Sequence, residues 1–203
     1  MLDLLLPQRC LACGAGGAQL CARCLAGLPR LRPPLCTRCG APTQWPVERC
    51  RECAGRRLAF ASARAGVGYD AAVRALVAAW KEHGLRRLAA TAGGLLIDVV
   101  GKPDATRLTF VPPDELARRW ELPVEPLLRR TRETGRQRGL SRPERRKNVA
   151  GAFQATGRVP ARIVLVDDVY TSGATASAAA SALRAGGARR VDVVTFARAL
   201  RFG

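Results

Sequence analysis

The apolar residues of this chain follow two rhythms. One is a set of short unbroken runs: Leu108 to Val111, Ile163 to Val166, and the stretch VDVVTFARAL beginning at Val191. Runs of that length, bounded by turn residues, fit strands buried on both faces of a parallel sheet. A weaker run of small apolar residues, Ala59 to Val67, fits an edge strand. The other rhythm is helical. Leu76, Val77 and Trp80 share one face, as do Leu85, Leu88, Leu95 and Leu96, which predicts two helices broken near Gly84. Pro112 and Pro113 stop the strand at Val111, Asp114 opens a helix over DELARRW, and LPVEP reads as a short strand or turn. The Ala-rich stretch ATASAAASALRA predicts a helix closed by Gly186 and Gly187. Strands alternating with helices place this part of the chain in the α/β class with a parallel sheet.

Two segments break the pattern. The first is N-terminal and holds all eight cysteines, paired at one spacing: Cys10/Cys13, Cys21/Cys24, Cys36/Cys39 and Cys50/Cys53. Two thiolates three residues apart grip one tetrahedral ion from a tight turn, and Gly14 and Gly40 fit such turns. Four knuckles supply ligands for two structural Zn²⁺ ions. Sequential pairing is the simplest of the three possible pairings, and interleaving stays open. The module has few large apolar residues, chiefly Leu20, Leu25, Leu28, Leu31, Leu35 and Trp45, so metal binding would supply its folding energy. The second segment, about 127–148, is arginine-dense and predicts a mobile loop. Its Arg138, Arg142, Arg145, Arg146 and Lys147 are candidates for a pyrophosphate or other anion. The expected division is a double zinc ribbon over 1–57 and an α/β domain over 58–203.

The densest chemistry lies between the two rhythms, in IVLVDDVYTSGAT, Ile163 to Thr175. Asp167 and Asp168 stand where the buried strand is expected to end, and Thr171, Ser172, Gly173, Ala174 and Thr175 form a small hydroxyl-rich turn before the helix. Free N–H groups at a helix start attract a phosphate, and small residues let it approach the backbone. Carboxylates repel phosphate but suit sugar hydroxyls. The stretch therefore fits a sugar phosphate, with the phosphate on the turn and the hydroxyls on the aspartates. The bland reading is a strand entering a helix capped by Asp168 or Ser172.

This stretch resembles the phosphoribosyl pyrophosphate (PRPP) motif of type I phosphoribosyltransferases, and a double zinc ribbon before such a domain resembles the ComF family, whose members include competence proteins for DNA uptake. CLACG, CTRCG, YDAAVRALVAAWKEHG, GLSRPERRKNVAGAF and ALRAGGARRVDVVTFAR carry the likeness, with Gln137, Leu140, Arg145, Asn148 and Phe153 matching the loop pattern. The resemblance implies a type I phosphoribosyltransferase-like fold. It also implies Asp167 and Asp168 on the ribose 2′ and 3′ hydroxyls, Thr171 to Thr175 on the 5′-phosphate, and Mg²⁺ accompanying PRPP. Members usually carry a basic stretch ending Arg-Gly-Phe-Asn after the Val-Pro strand; here FVPPD runs almost directly into ELARRW, so the likeness departs on the pyrophosphate side.

Charge adds a second class of partner. The formal net charge is +18, which favours polyanions such as single-stranded DNA as well as phosphorylated small molecules. The ribbon arginines Arg9, Arg23, Arg38, Arg49, Arg51, Arg56 and Arg57 could face nucleic acid or simply solvent. Lysine occurs only at 81, 102 and 147 and alanine is abundant, a pattern that GC-rich coding also produces. Lys81 and His83, near the helix break, are weaker anion and base candidates. No apolar run is long enough to span a membrane, and the start MLDLLLPQRC lacks a basic leader, so a cytoplasmic protein is expected. DNA-uptake machinery, PRPP and other ribose phosphates are the expected partners.

Overall fold

The computed structural model describes residues 8–83, 86–109, 118, 120–131, 149 and 151–200. For 80–83 and 86–89 it describes the backbone alone. The elements in chain order are α1 (Ala22–Ala26), β1 (Ser62–Gly68), α2 (Ala71–His83), α3 (Arg86–Val100), β2 (Arg107–Thr109), β3 (Leu128–Arg130), β4 (Phe153–Ala155), β5 (Arg162–Tyr170), α4 (Ala174–Ala185) and β6 (Arg190–Arg198). Four strands form one sheet in the order β1-β6-β5-β2, every neighbouring pair parallel. The α/β class and parallel sheet are as the hydrophobic runs predict.

The sheet is buried on both faces, which is why its central strands are apolar runs rather than alternations. Ile163 and Leu165 of β5 and Val191 and Val193 of β6 pack with Ala176, Ala179, Ala180 and Leu183 of α4. Val164, Val166 and Val194 join Leu96 of α3, Leu108 and Trp120 in a second cluster on the opposite face. Beside it, Val67, Phe196 and Ala197 meet Val73, Val77 and Leu95 of α2 and α3.

β1 is an edge strand, as expected, but its outer side is covered. Arg30 bridges Val67 antiparallel, Leu31 N–H donates to Gly66 O at 2.9 Å, and Gly68 N–H donates to Pro29 O at 2.7 Å. The link between the two ribbons thus occupies backbone groups that would otherwise template another strand. On the opposite edge, Val124 of LPVEP makes a parallel bridge to Leu108.

The structure departs from the sequence reading in two places. β5 continues through both aspartates to Tyr170 rather than ending before them, because β6 stays paired with it to Tyr170↔Arg198. The basic segment does not begin as loop: Leu128–Arg130 forms β3, antiparallel to β4, and Leu128 is buried beside α4. Arg138, Arg142, Arg145, Arg146 and Lys147 lie outside the described residues, as do Gly84, the FVPPD segment and most of DELARRW.

Candidate functional site

The cysteines gather into two sets, Cys10/Cys13/Cys21/Cys24 and Cys36/Cys39/Cys50/Cys53, and within each set the four sulfur atoms lie within 4.8 Å of one another. This is the sequential pairing. The local chain explains it. Each first knuckle folds back on itself, with Gly14 N–H on Cys10 O at 2.7 Å and Gly40 N–H on Cys36 O at 2.9 Å. Each second knuckle then donates to a sulfur of the first: Cys21 N–H to Cys10 Sγ at 3.5 Å, and Cys50 N–H to Cys36 Sγ at 3.3 Å. Such donors stabilise thiolate. The Cys21 amide is the main reason the Cys10 thiol is held down at about 6. Burial pushes the Cys36 thiol up, but the amides of Cys39, Cys50 and Arg38 outweigh it and bring it to about 7. Two sets of four converging sulfurs, each with one sulfur backed by amides, fit two structural zinc ions with no open ligand position.

The two centres are not equivalent. Cys13 is exposed and Cys21 and Cys24 half-buried, whereas Cys36, Cys39 and Cys53 are fully buried and share a core with Phe60, Ile163, Tyr170 and Val191. The second ribbon is therefore packed into the sheet. Gly40, at φ +72°, shows how closely: a Cβ there would lie 2.4 Å from the Ala63 carbonyl oxygen of β1.

Two of the ribbon arginines read as candidate nucleic-acid contacts are turned inward. Arg38 donates to Leu58 O at 2.7 Å and Ala61 O at 3.1 Å, and Arg56 donates to the carbonyl of Ser172. Arg9, Arg23, Arg49, Arg51 and Arg57 are exposed.

At the other end of the site, β5 hands the chain to α4 through Thr171, Ser172 and Gly173. Gly173 is the N-cap of α4, in the left-handed region at φ +71°, and no side chain caps the helix from that position. A Cβ on Gly173 would sit 2.4 Å from the Tyr170 hydroxyl, so only glycine fits. Ser172 is buried and its Oγ accepts from Ala174 N–H at a long 3.4 Å. Thr171 and Thr175 are half-buried.

The aspartates are adjacent on a strand, so they leave opposite faces. Asp167 lines a cavity of about 300 Å³ together with Thr175, Arg130 of β3 and Phe153 of β4, over a floor of Leu165, Ala176 and Ala179. The Arg130 guanidinium lies over the Phe153 ring, 5.4 Å from its centre. Asp168 is buried, does not line that cavity, and accepts from Val169 N–H at 2.7 Å. Asp167 accepts from Asp168 N–H at 2.9 Å. A larger groove of about 620 Å³ follows the outer face of α4; among the described residues neither aspartate nor any hydroxyl of the 171–175 turn lines it.

Sequence reasoning placed Arg130 only within the arginine-dense stretch from Arg129 to Arg146 as a candidate pyrophosphate contact, and missed Glu52 and Arg198. Arg198 carried a weak signal, a charge directly after the apolar Phe196 and Ala197 at the end of β6, and it is 1% exposed. No described helix is long and apolar enough to cross a membrane.

Residues 1–54 match the family model of the double zinc ribbon domain. The chain is also 36% identical over 90 residues to Competence protein F of Haemophilus influenzae, a match covering 42% of this chain and 39% of that protein. The match thus spans well under half of the relative's length. The double ribbon and this likeness, together with the parallel α/β sheet joined to the ribbon, support a ComF-like protein.

Proposed function

We propose that this chain acts in DNA uptake, in the manner its likeness to a competence protein suggests, and that it binds PRPP or another ribose phosphate at the 171–175 turn. The observation that carries the binding reading is the junction of β5 and α4. A glycine held at φ +71° opens a 12-residue helix with no side-chain cap, and Asp167 and Thr175 flank one cavity beside it. The phosphate takes the amides of the helix start and the hydroxyls of Thr171, Ser172 and Thr175. A ribose hydroxyl takes Asp167. Asp168, on the other face of β5, stabilises the strand end through its bond to Val169 N–H and is within one residue of the ribose side. Mg²⁺ accompanies the pyrophosphate in this reading, and Arg130 at the cavity rim is the described cation best placed to meet an anion there. A phosphoribosyl transfer would need leaving-group stabilisation at that rim.

Calorimetric titration tests this. PRPP with Mg²⁺ is added to the zinc-loaded protein, with ribose 5-phosphate as the comparison. Both bind if the turn is a phosphate site, and PRPP binds tighter if the pyrophosphate is recognised. Asp167→Asn should weaken ribose 5-phosphate binding by about tenfold, the effect of one charge-assisted hydrogen bond, while leaving the melting temperature unchanged. Full affinity in the variant sinks the assignment of Asp167.

A second reading, single-stranded DNA binding, is favoured by one specific observation. Trp45, in the second ribbon, is 64% exposed, whereas Trp120 is 2% exposed in the core. Exposed Arg49 and Arg51 follow it in sequence, and aromatic stacking with backbone neutralisation is how single strands are held without sequence preference. Oligothymidine should quench Trp45 fluorescence, and Trp45→Ala should cost about 1–3 kcal/mol of binding. Affinity should fall steeply between about 50 and 200 mM salt. Salt-independent binding, or none, removes this reading.

A further inference from the structure

We propose that Arg198 and Arg56 are positioning residues that make the shape of the 171–175 turn depend on the second four-cysteine centre. This rests on the reading of the turn as a phosphate site. It concerns what holds the turn in shape.

Arg198 is the last residue of β6. A guanidinium buried to 1% exposure needs its charge matched, and although Arg198 Nε has no partner among the described residues, both Nη atoms do. Its partners belong to the second ribbon. Nη1 donates to Cys39 O at 2.6 Å, and Nη2 donates to Glu52 Oε2 at 3.0 Å and lies 3.7 Å from Cys39 Sγ. A tetrathiolate zinc centre carries net negative charge, so the donor to Cys39 suits it electrostatically. The same guanidinium lies over the Tyr170 ring, 4.5 Å from its centre. Tyr170 is 3% exposed, is packed edge-on against Phe60 at 6.2 Å, and sits directly beneath Gly173. Cys39, Arg198, Tyr170 and Gly173 are thus in consecutive contact.

A second connection runs through the chain that leaves the centre. Arg56 N–H donates to Cys53 O at 3.2 Å, and the Arg56 guanidinium donates to the carbonyl of Ser172 in the turn. Three residues on, Ala59 N–H donates to Ser177 Oγ at 3.1 Å, in the first turn of α4. Both sides of Gly173 are therefore tied to residues whose places the second centre sets. A left-handed glycine with donors aimed outward is useful for binding only if held there before the ligand arrives. The first centre has a different neighbourhood: Leu20, Leu25 and Leu28 beside it pack against Val73 and Val77 of α2.

The test uses the full zinc-loaded chain and three substitutions, Arg56→Met, Arg56→Lys and Arg198→Met. Zinc content is measured by metal analysis, amide hydrogen exchange by mass spectrometry, and ribose 5-phosphate affinity by calorimetry. Arg56→Met should keep both zinc ions and wild-type exchange in β1 and α2. Exchange across Ser172–Ser177 should speed up about tenfold and the affinity should fall by a similar factor, as loss of one charge-assisted hydrogen bond implies. Arg56→Lys should recover most of both. Arg198→Met should do more, and if it does not fold the Arg56 pair decides. Unchanged exchange across the turn in Arg56→Met, with zinc retained, overturns the proposal. So does faster exchange spread evenly through the sheet. Exchange is read without ligand, so if the wild-type protein binds no ribose 5-phosphate, the phosphate-site reading fails separately and the exchange result still decides the coupling.

Discussion

At the scale of single residues, the site is governed by what Gly173 cannot become. Its φ of +71° is costly for any other residue, and Tyr170 leaves no room for a Cβ. Gly173→Ala should destabilise the protein by about 2 kcal/mol or more, measured as a lowered urea midpoint at unchanged slope. It should also abolish ribose 5-phosphate binding, because relief of the clash must move either the turn or Tyr170. A variant that keeps both midpoint and affinity would show that the turn is not rigid. Tyr170 contributes as a packed ring. Burial, the largest influence on it, pushes its phenol up to about 12, so it stays neutral through the physiological range.

At the scale of elements, the knuckles are small machines for keeping thiolates. Cys10 and Cys36 are brought down to about 6 and about 7 from the ordinary 9.0 by backbone amides, against an opposing effect of burial that is largest for Cys36. A thiol lowered in the folded state contributes stability above its unfolded value, and that stability is lost as pH falls through the folded value. Without metal some thiols of each set hold protons: hydrogen bonding from Cys13, ahead of other causes, raises Cys24 to about 12, and burial raises Cys39 and brings Cys53 to about 11. Zinc must displace those protons, so its binding weakens in acid. A colorimetric chelator should strip zinc several-fold faster at about pH 5.5 than at about pH 7.5. The first centre, with exposed Cys13, should empty before the second. Release at equal rates at the two pH values would contradict this account of the knuckles.

At the scale of the whole molecule, the second ribbon and the sheet share one core. Cys36, Cys39 and Cys53 pack with Phe60, Ile163, Tyr170 and Val191, and Arg198 carries a salt bridge from β6 to Glu52 at 3.0 Å. Removing zinc from the second centre should therefore lower the melting temperature of the whole chain, on the order of 10 °C or more, followed by far-ultraviolet circular dichroism. Loss of the first ion alone should change it little. Two separate transitions, with the sheet's unmoved by chelation, would mean that the shared core carries little energy. The net charge of +18 also belongs to this scale, but part of it is spent inside. Arg38, Arg56 and Arg198 bond to backbone or to Glu52, so charge counted from composition overstates what a polyanion meets.

Much of this was legible in sequence because the signals are local. A thiolate pair three residues apart makes its own turn, an unbroken apolar run needs two covered faces, and a hydroxyl-rich turn after a buried strand opens a helix; each is set by short-range geometry. The sequence by itself therefore determined the eight thiols as metal ligands, the parallel α/β class and the position of the turn. Tertiary structure decided what depends on distant partners. Spacing allowed three knuckle pairings, and chain folding chose the sequential one. Period alone placed a strand end before Asp167, and β6 extended the strand to Tyr170. Nothing near Arg198 in sequence announces Cys39, Glu52 or Tyr170, because a buried charge finds its partners only when elements 146 and 159 residues apart pack together.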